Sequence, residues 1–273
     1  MDDHLTASRA FAKAIRSDAL RMVHRANSSH IGTCLSMADL LAVLYTRTLK
    51  LDPAQPGWSE RDRLILSKGH GAAILYAALA QRGFFPTREL ESFSQDGSLL
   101  TGHVNHHVPG IDFSTGSLGH GLSVACGMAV AGKRAGASWR VFAILSDGEL
   151  DEGSTWEPIL FAPQHHLDNL TAIVDYNKIQ SFGTVAEVLD LHPLAEKWRA
   201  CRWAVREVDG HDHAQVTAAL DSLPFKPGAP SVLIAHTIKG KGVSYMENQL
   251  AWHYKAPDSE QLAQALAEVE AAP

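Results

Sequence analysis

Three shortages narrow the field first. Cysteine is scarce: Cys34, Cys126 and Cys201 are scattered and odd in number, so neither a disulfide framework nor a thiolate metal motif is expected, and the thiols read as reduced. Long hydrophobic runs are missing. No stretch of about eighteen apolar residues occurs, and the opening MDDHLTASRA lacks the basic and hydrophobic regions of a secretory signal. A cytoplasmic location is the expectation. Positive charge is in deficit, with 24 Lys and Arg against 30 Asp and Glu for a net charge of −6. That balance leaves no electrostatic case for nucleic acid or an anionic membrane. Internal repeats and low-complexity linkers are absent as well.

What is present fits one globular α/β domain over residues 1–273, with 45% hydrophobic and 20% charged residues. The most informative stretch is 141–183, VFAILSDGELDEGSTWEPILFAPQHHLDNLTAIVDYNKIQSFG. Residues 141–145 and 170–174 are short, continuous aliphatic runs, the pattern of strands buried on both faces. Ile159, Leu160 and Leu167 between them suit a connecting helix. A strand-helix-strand unit of this length implies a parallel pair with a right-handed crossover, so both strands end on one edge of the sheet. Ligands of open α/β sheets bind at that edge.

Asp147 follows the first of these strands and Asn177 the second. Two hard oxygen donors can therefore meet there and, with a backbone carbonyl, water and the oxygens of a ligand phosphate, hold Mg²⁺ or Ca²⁺. Gly148 lets the backbone come close to that phosphate. Asp-Gly and Asn are also ordinary turn formers, and these residues alone leave both readings open. The segment SDGELDEGSTWE followed by DYNKIQSFGT resembles the thiamine diphosphate motif that opens with Gly-Asp-Gly and closes with Asn. It is more similar to the amino-terminal half of transketolases than to the E1 dehydrogenases. Ser146 stands where the family usually has the first Gly. On that resemblance the metal ligands are Asp147, Asn177 and the Ile179 carbonyl, while Gly148 and Asn177 line the cofactor.

The remaining segments extend the resemblance in order along the chain. A first helix over about residues 6–26 leads into Ser28-Ser29-His30-Ile31-Gly32-Thr33, then Ser36-Met37-Ala38-Asp39 and an apolar helix to about Leu49. This resembles the transketolase SxHxGxxLSxAD pattern, which implies His30 facing the reaction centre and Thr33 near the diphosphate. A strand at 63–67 exits through Lys68-Gly69-His70-Gly71 into a helix over 72–82, a placement suited to phosphate. The match implies His70 as a diphosphate contact. In 98–120, SLLTGHVNHHVPGIDFSTGSLGH, four histidines invite a zinc reading. They lie in a loop without Cys or helical HxxxH spacing, which argues against a tetrahedral site. His106 and His107 read as solvated. His103 matches the family's Gly-His segment, whose His bonds the donor sugar, although Val104 replaces the usual Pro and Asn105-His106 a common acidic sequence. Gly116, Ser117 and Leu118 resemble the TGSLGQG stretch that supports the cofactor rings, with His120 in place of Gln.

Glu149, Asp151 and Glu152 crowd the turn after Gly148, where acid favours a helix amino terminus. The family match places Glu152 at the subunit contact, linking active sites. A helix over about 122–134 carries the small residues Ala125, Gly127 and Ala129. A helix near 192–200, a strand at 204–208, the DGHDH turn, a helix to about 223 and a strand at 231–236 continue the alternation, and the Ala/Glu-rich 259–270 reads as a terminal helix or a frayed tail. His236-Thr237-Ile238-Lys239-Gly240-Lys241-Gly242 with Trp252-His253 resembles the transketolase KGxG and WH segments. They imply Lys239 on the diphosphate and His253 over the reacting centre.

The implied fold is a doubly wound, mostly parallel sheet with helices on both faces, the diphosphate domain of the thiamine diphosphate fold. A complete transketolase carries a further pyrimidine domain, with the glutamate that activates the cofactor, and a carboxy-terminal domain. Neither fits after His253, so both are expected on a partner chain in an α2β2 assembly. The implied reaction moves a two-carbon ketol unit from a ketose to an aldehyde, with thiamine diphosphate as electron sink and His30, His103 and His253 shuttling protons, since imidazoles titrate near working pH. Three alternatives stand beside it: a specialised ketol transferase of a biosynthetic pathway, an E1 alpha-like subunit, and a non-catalytic scaffold.

Overall fold

The computed structural model describes residues 3–272. Helix α1 (Asp3–Ala26) buries Ile15, Ala19, Leu20 and Val23, which recur at helical spacing on one face. The single helix expected up to Leu49 is broken instead into α2 (Ile31–Ser36), α3 (Ala38–Val43) and a π-helical turn (Leu44–Thr48). Hydroxyl back-bonding accompanies the breaks: Ser36 Oγ donates to the Thr33 carbonyl at 3.0 Å and Thr46 Oγ1 to that of Ala42 at 2.7 Å.

Strand β1 (Arg63–Leu66) leads through a tight turn (Gly69–Gly71) into α4 (Ala72–Gln81). A turn of 3-10 helix (Thr87–Ser92) that the sequence did not announce precedes α5 (Gly121–Ala135) and β2 (Val141–Ser146). The unit read from the sequence then appears as a 3-10 turn (Gly148–Asp151), α6 (Gly153–Gln164) and β3 (Leu170–Tyr176). Short helices α7 (Val185–Val188) and α8 (Leu194–Ala200) lead to β4 (Ala204–Asp209), and α9 (His213–Asp221) to β5 (Ser231–His236). A last 3-10 turn (Leu250–His253) precedes α10 (Ser259–Ala271).

The five strands pair in the order β1-β2-β3-β5-β4, every pair parallel. Alternate side chains enter two separate cores. Phe142, Ile144, Ile173 and Leu233 pack with α1, α3 and α4 on one face. Val141, Ala143, Leu145, Val174 and Val232 pack with α5, α6 and α8 on the other. Burial on both faces is why the central strands are continuously aliphatic rather than alternating. Only the edge strand β4 carries exposed charge, at Arg206, Glu207 and Asp209, which discourages pairing with another chain.

Of the apolar residues placed in the connecting helix, Ile159 and Leu160 lie in α6 and Leu167 beyond it. Ile159 is fully buried, but Leu160, one step of about 100° round the helix, is 62% exposed, and Leu167 is buried beyond the helix end. The register makes a direct test. Ile159→Ala is expected to cost about 2–5 kcal/mol, whereas Leu160→Ala should stay within about 0.5 kcal/mol of wild type, both read from denaturant midpoints. Equal costs would mean that α6 is rotated from the orientation described.

Candidate functional site

Parallel pairing makes β1, β2, β3 and β5 deliver their exits to one edge. Those exits carry Lys68, Asp147, Asn177 and Lys239 respectively. Asp175, the one charged residue of β3, lies fully buried beneath them. Its carboxylate accepts bonds from Lys68 Nζ and Thr237 Oγ1 and, at 2.5 Å, from Ser36 Oγ. Burial by itself would raise the Asp175 pKa. The Lys68 charge and the hydrogen bonds of Lys68, Ser36 and Thr237 outweigh it and hold the group below its ordinary value. Lys68 Nζ also donates to Thr33 Oγ1 at 2.8 Å. One buried ion pair therefore joins β1, β3, α2 and the segment after β5. Sequence reasoning passed over both members. A charge inside a buried strand is the signal that points to Asp175, because such a group needs a partner.

Asp147 bridges two strand exits. Its Oδ1 accepts the Gly148 N–H at 2.8 Å and its Oδ2 that of Lys178, beyond β3, at 2.6 Å. Burial, followed by the nearby Asp175 charge, pushes its pKa up to about 6. Asn177 Oδ1 accepts the Ile179 N–H at 3.1 Å. A carboxylate, an amide oxygen and a peptide carbonyl thus line the same cleft, a hard-oxygen set that fits Mg²⁺ or Ca²⁺ and not a soft metal. Among the described residues no group of three or more His, Cys, Asp or Glu is placed to hold a metal ion, so such a site depends on Asn177 and on the backbone.

The cleft, of about 290 Å³, brings Thr33, His70, Leu118, Gly148 and Lys239 together with Asp147, and has Glu152 and His253 in its wall. Lys239 is 2% exposed; its ammonium donates to the Ile179 carbonyl at 2.9 Å and lies 3.1 Å from His253 Nδ1. Burial lowers its pKa to about 8 against the opposing pull of Asp147. Gly32 lets its stem pass, since a Cβ there would lie 3.1 Å from Lys239 Cγ and 3.2 Å from the Trp252 carbonyl.

Beside the cleft four imidazoles cluster. The His30 ring lies 5.1 Å from His70, 6.0 Å from His103 and 5.0 Å from His253. His30 holds the left-handed region (φ 77°), uncommon for a residue with a side chain, and its N–H donates to the His253 carbonyl at 2.9 Å. Burial, then His103 and Lys239, lowers the His30 pKa to about 4; burial, then Lys239, lowers His253 to about 3; His70 also falls well below its ordinary value, chiefly by burial. His30, His70 and His253 are thereby held neutral at pH 7, their pKa values below the range in which free imidazoles titrate. Because Lys239 donates toward Nδ1, the His253 proton resides on Nε2, 3.4 Å from Ser181 Oγ.

The other expected residues fall outside the cleft lining. Gly116 packs against the His103 ring, at 3.4 Å from where its Cβ would stand. Ser117 is exposed, with its carbonyl 3.2 Å from His120 Nδ1, which must carry a proton to bond it and the Leu118 carbonyl at 3.0 Å. His106 is exposed but clipped to Ser114 Oγ through Nδ1 at 2.7 Å. Of the acidic turn, Glu152 and Asp151 reach solvent, whereas Glu149 is fully buried and touches no α6 amide. Glu149 stands in the first turn of the 3-10 helix, as acid there should, but its side chain turns inward: its Oε1 accepts from Ser67 Oγ and, at 3.0 Å, from the Gly119 N–H.

Comparison with known proteins matches this arrangement. The transketolase thiamine diphosphate binding domain family matches residues 7–269. A protein described as 6-deoxy-6-sulfo-D-fructose transketolase subunit SqwG, from Clostridium sp. (strain MSTE9), is 43% identical over 260 residues, covering 95% of this chain and 94% of its own length. One of the subunits of an apulose-4-phosphate transketolase, from Actinobacillus succinogenes, is 42% identical, with the same coverages. Among solved structures, transketolase from Leishmania mexicana superposes with a TM-score of 0.91 at 30% identity, over 96% of this chain but 41% of its own. By the extent of the family match and the identity to relatives of similar length, the chain belongs to the transketolase family, as its thiamine diphosphate binding domain.

Proposed function

We propose that this chain is the diphosphate-binding subunit of a two-component, cytoplasmic transketolase-type transferase. With a partner carrying the pyrimidine domain, in an α2β2 assembly, it transfers a two-carbon ketol unit from a ketose to an aldehyde acceptor. The observation that carries this reading is the convergence of Asp147, Asn177 and the Ile179 carbonyl with Lys239 in one cleft, edged by the imidazole cluster. The division into subunits is supported by relatives of the same length that are themselves described as subunits, against a full transketolase of which the chain spans 41%. Their names carry sulfonate or phosphate on the sugar, which favours an anionic, specialised donor. The same relatives favour ketol transfer over the E1-type reaction.

When bound, thiamine diphosphate supplies the electron sink for breaking the carbon–carbon bond beside a ketose carbonyl. Asp147, Asn177 and the Ile179 carbonyl would hold Mg²⁺, and Lys239 presents a point charge to the diphosphate, with Thr33, His70 and Gly148 around it. Gly116, Ser117 and Leu118 back the cofactor rings, and Glu152 reaches toward the partner. His253 serves as a neutral donor through Nε2, since Lys239 occupies the other nitrogen. His30, a neutral ring with Nδ1 at 3.1 Å from Ser29 Oγ, and His103 bond the donor hydroxyls and relay protons.

Two measurements test this reading. Calorimetric titration of thiamine diphosphate with Mg²⁺ is expected to show tight binding only for the chain mixed with its partner, and Asp147→Ala should weaken it about 100-fold. No binding in the mixture would leave the scaffold reading in its place. His103 stands outside the cleft lining and against Gly116, so His103→Ala should lower kcat/KM for the donor about 100-fold while cofactor affinity changes less than about threefold. Equal losses in both would remove His103 from the donor side.

A further inference from the structure

Two segments of the site, the exit of β1 and the loop before α5, meet at one carboxylate that the reaction does not use. Glu149 is fully buried, and its Oε1 alone takes both Ser67 Oγ and the Gly119 N–H, leaving Oε2 buried without a partner. Its backbone is held as well: its N–H donates to Ser146 Oγ at 3.2 Å, and its carbonyl accepts from Thr155 Oγ1 at 2.8 Å. Two of these ties end one residue from a group of the cleft, since Gly119 follows Leu118 and Ser146 precedes Asp147, and the third, Ser67, precedes Lys68 of the buried ion pair beneath it. Gly119 has little freedom to drift. It sits at φ 84°, and a Cβ there would lie 2.3 Å from Ser154 Oγ and 2.9 Å from Glu152 Cβ, so its backbone is pressed against the start of α6.

A buried acceptor for two donors from separate segments is costly to bury and costly to lose, because removing it leaves a buried peptide N–H unpaired. That expense is hard to account for by fold alone on a turn that an apolar residue could fill. We propose that Glu149 is a positioning residue: it fastens the 115–120 loop, and with it Leu118, to the exits of β1 and β2, so that the wall of the cofactor cleft is formed before any ligand arrives. Glu149 itself touches neither cofactor nor substrate. Its consequence for the cofactor rests on the proposed function, whereas the fastening of the loop does not.

The test compares Glu149→Ala with Glu149→Gln in the full chain. Gln keeps an oxygen for Ser67 and Gly119 and replaces the unpartnered one. Hydrogen exchange at the Gly119 amide should quicken at least about tenfold in Glu149→Ala and stay within about threefold of wild type in Glu149→Gln. With partner and Mg²⁺ present, the thiamine diphosphate Kd should rise at least about tenfold in the Ala variant alone, while its kcat at saturating cofactor stays within about twofold of wild type. Unchanged exchange and affinity in a folded Glu149→Ala would overturn the proposal, as would a loss of kcat that saturation does not restore. Should Glu149→Ala not fold, Ser67→Ala removes one tie and is expected to raise both exchange and Kd about threefold or more; no effect there overturns it equally. If wild type binds no cofactor, the proposed function fails, and the exchange comparison still decides the role of Glu149.

Discussion

The site hangs on the ion pair of Lys68 and Asp175. Both side chains are fully buried, and two charges in such a place are tolerated only when matched and further hydrogen-bonded. Asp175 meets that condition through Ser36 and Thr237, and Lys68 through Thr33. Losing one member of such a pair typically costs about 3–5 kcal/mol, whereas an apolar pair of the same volume is often no less stable. Stability alone is thus a poor reason for the pair. Its geometric effect is larger, because it fixes the relative positions of β1, β3, α2 and the segment after β5, from which the cleft residues project.

From that anchor the polar groups separate into two zones of different character. Asp147, the amide oxygen of Asn177 and the Ile179 carbonyl line one side with hard oxygens, and burial there raises the Asp147 pKa. In the adjoining zone the imidazoles of His30, His70 and His253 are kept neutral by burial and by the cationic Lys68 and Lys239. Lys239 stands at the border, bonded to the Ile179 carbonyl on one side and to His253 on the other. Neutral rings beside a fixed cation act as directional hydrogen-bond partners with a defined tautomer, a different service from that of bases poised at neutral pH.

Much of this was legible beforehand. Aliphatic runs at 141–145 and 170–174 announced strands buried on both faces, and parallel pairing followed from the helix between them. Placing Asp147 and Asn177 at one edge needed only that topology. Their resemblance to a family motif added Ile179, whose carbonyl no sequence pattern would single out. Which face a residue turns to its surroundings was not legible in the same way. Leu160 looks as apolar as Ile159 in sequence, yet the turn of the helix sends it to solvent. Glu149 looks like its acidic neighbours, yet packing against Ser67 and Gly119 buries it.

The order of strands and helices and the residue types at each strand exit can be read along the chain, because periodicity and local turn chemistry are properties of sequence neighbours. Which charges became partners, which histidines lost their protons and which acid became a fastening were settled by folding. Those outcomes are set by burial and by distances between segments remote in sequence, as between Lys68 and Asp175, and no local pattern encodes either.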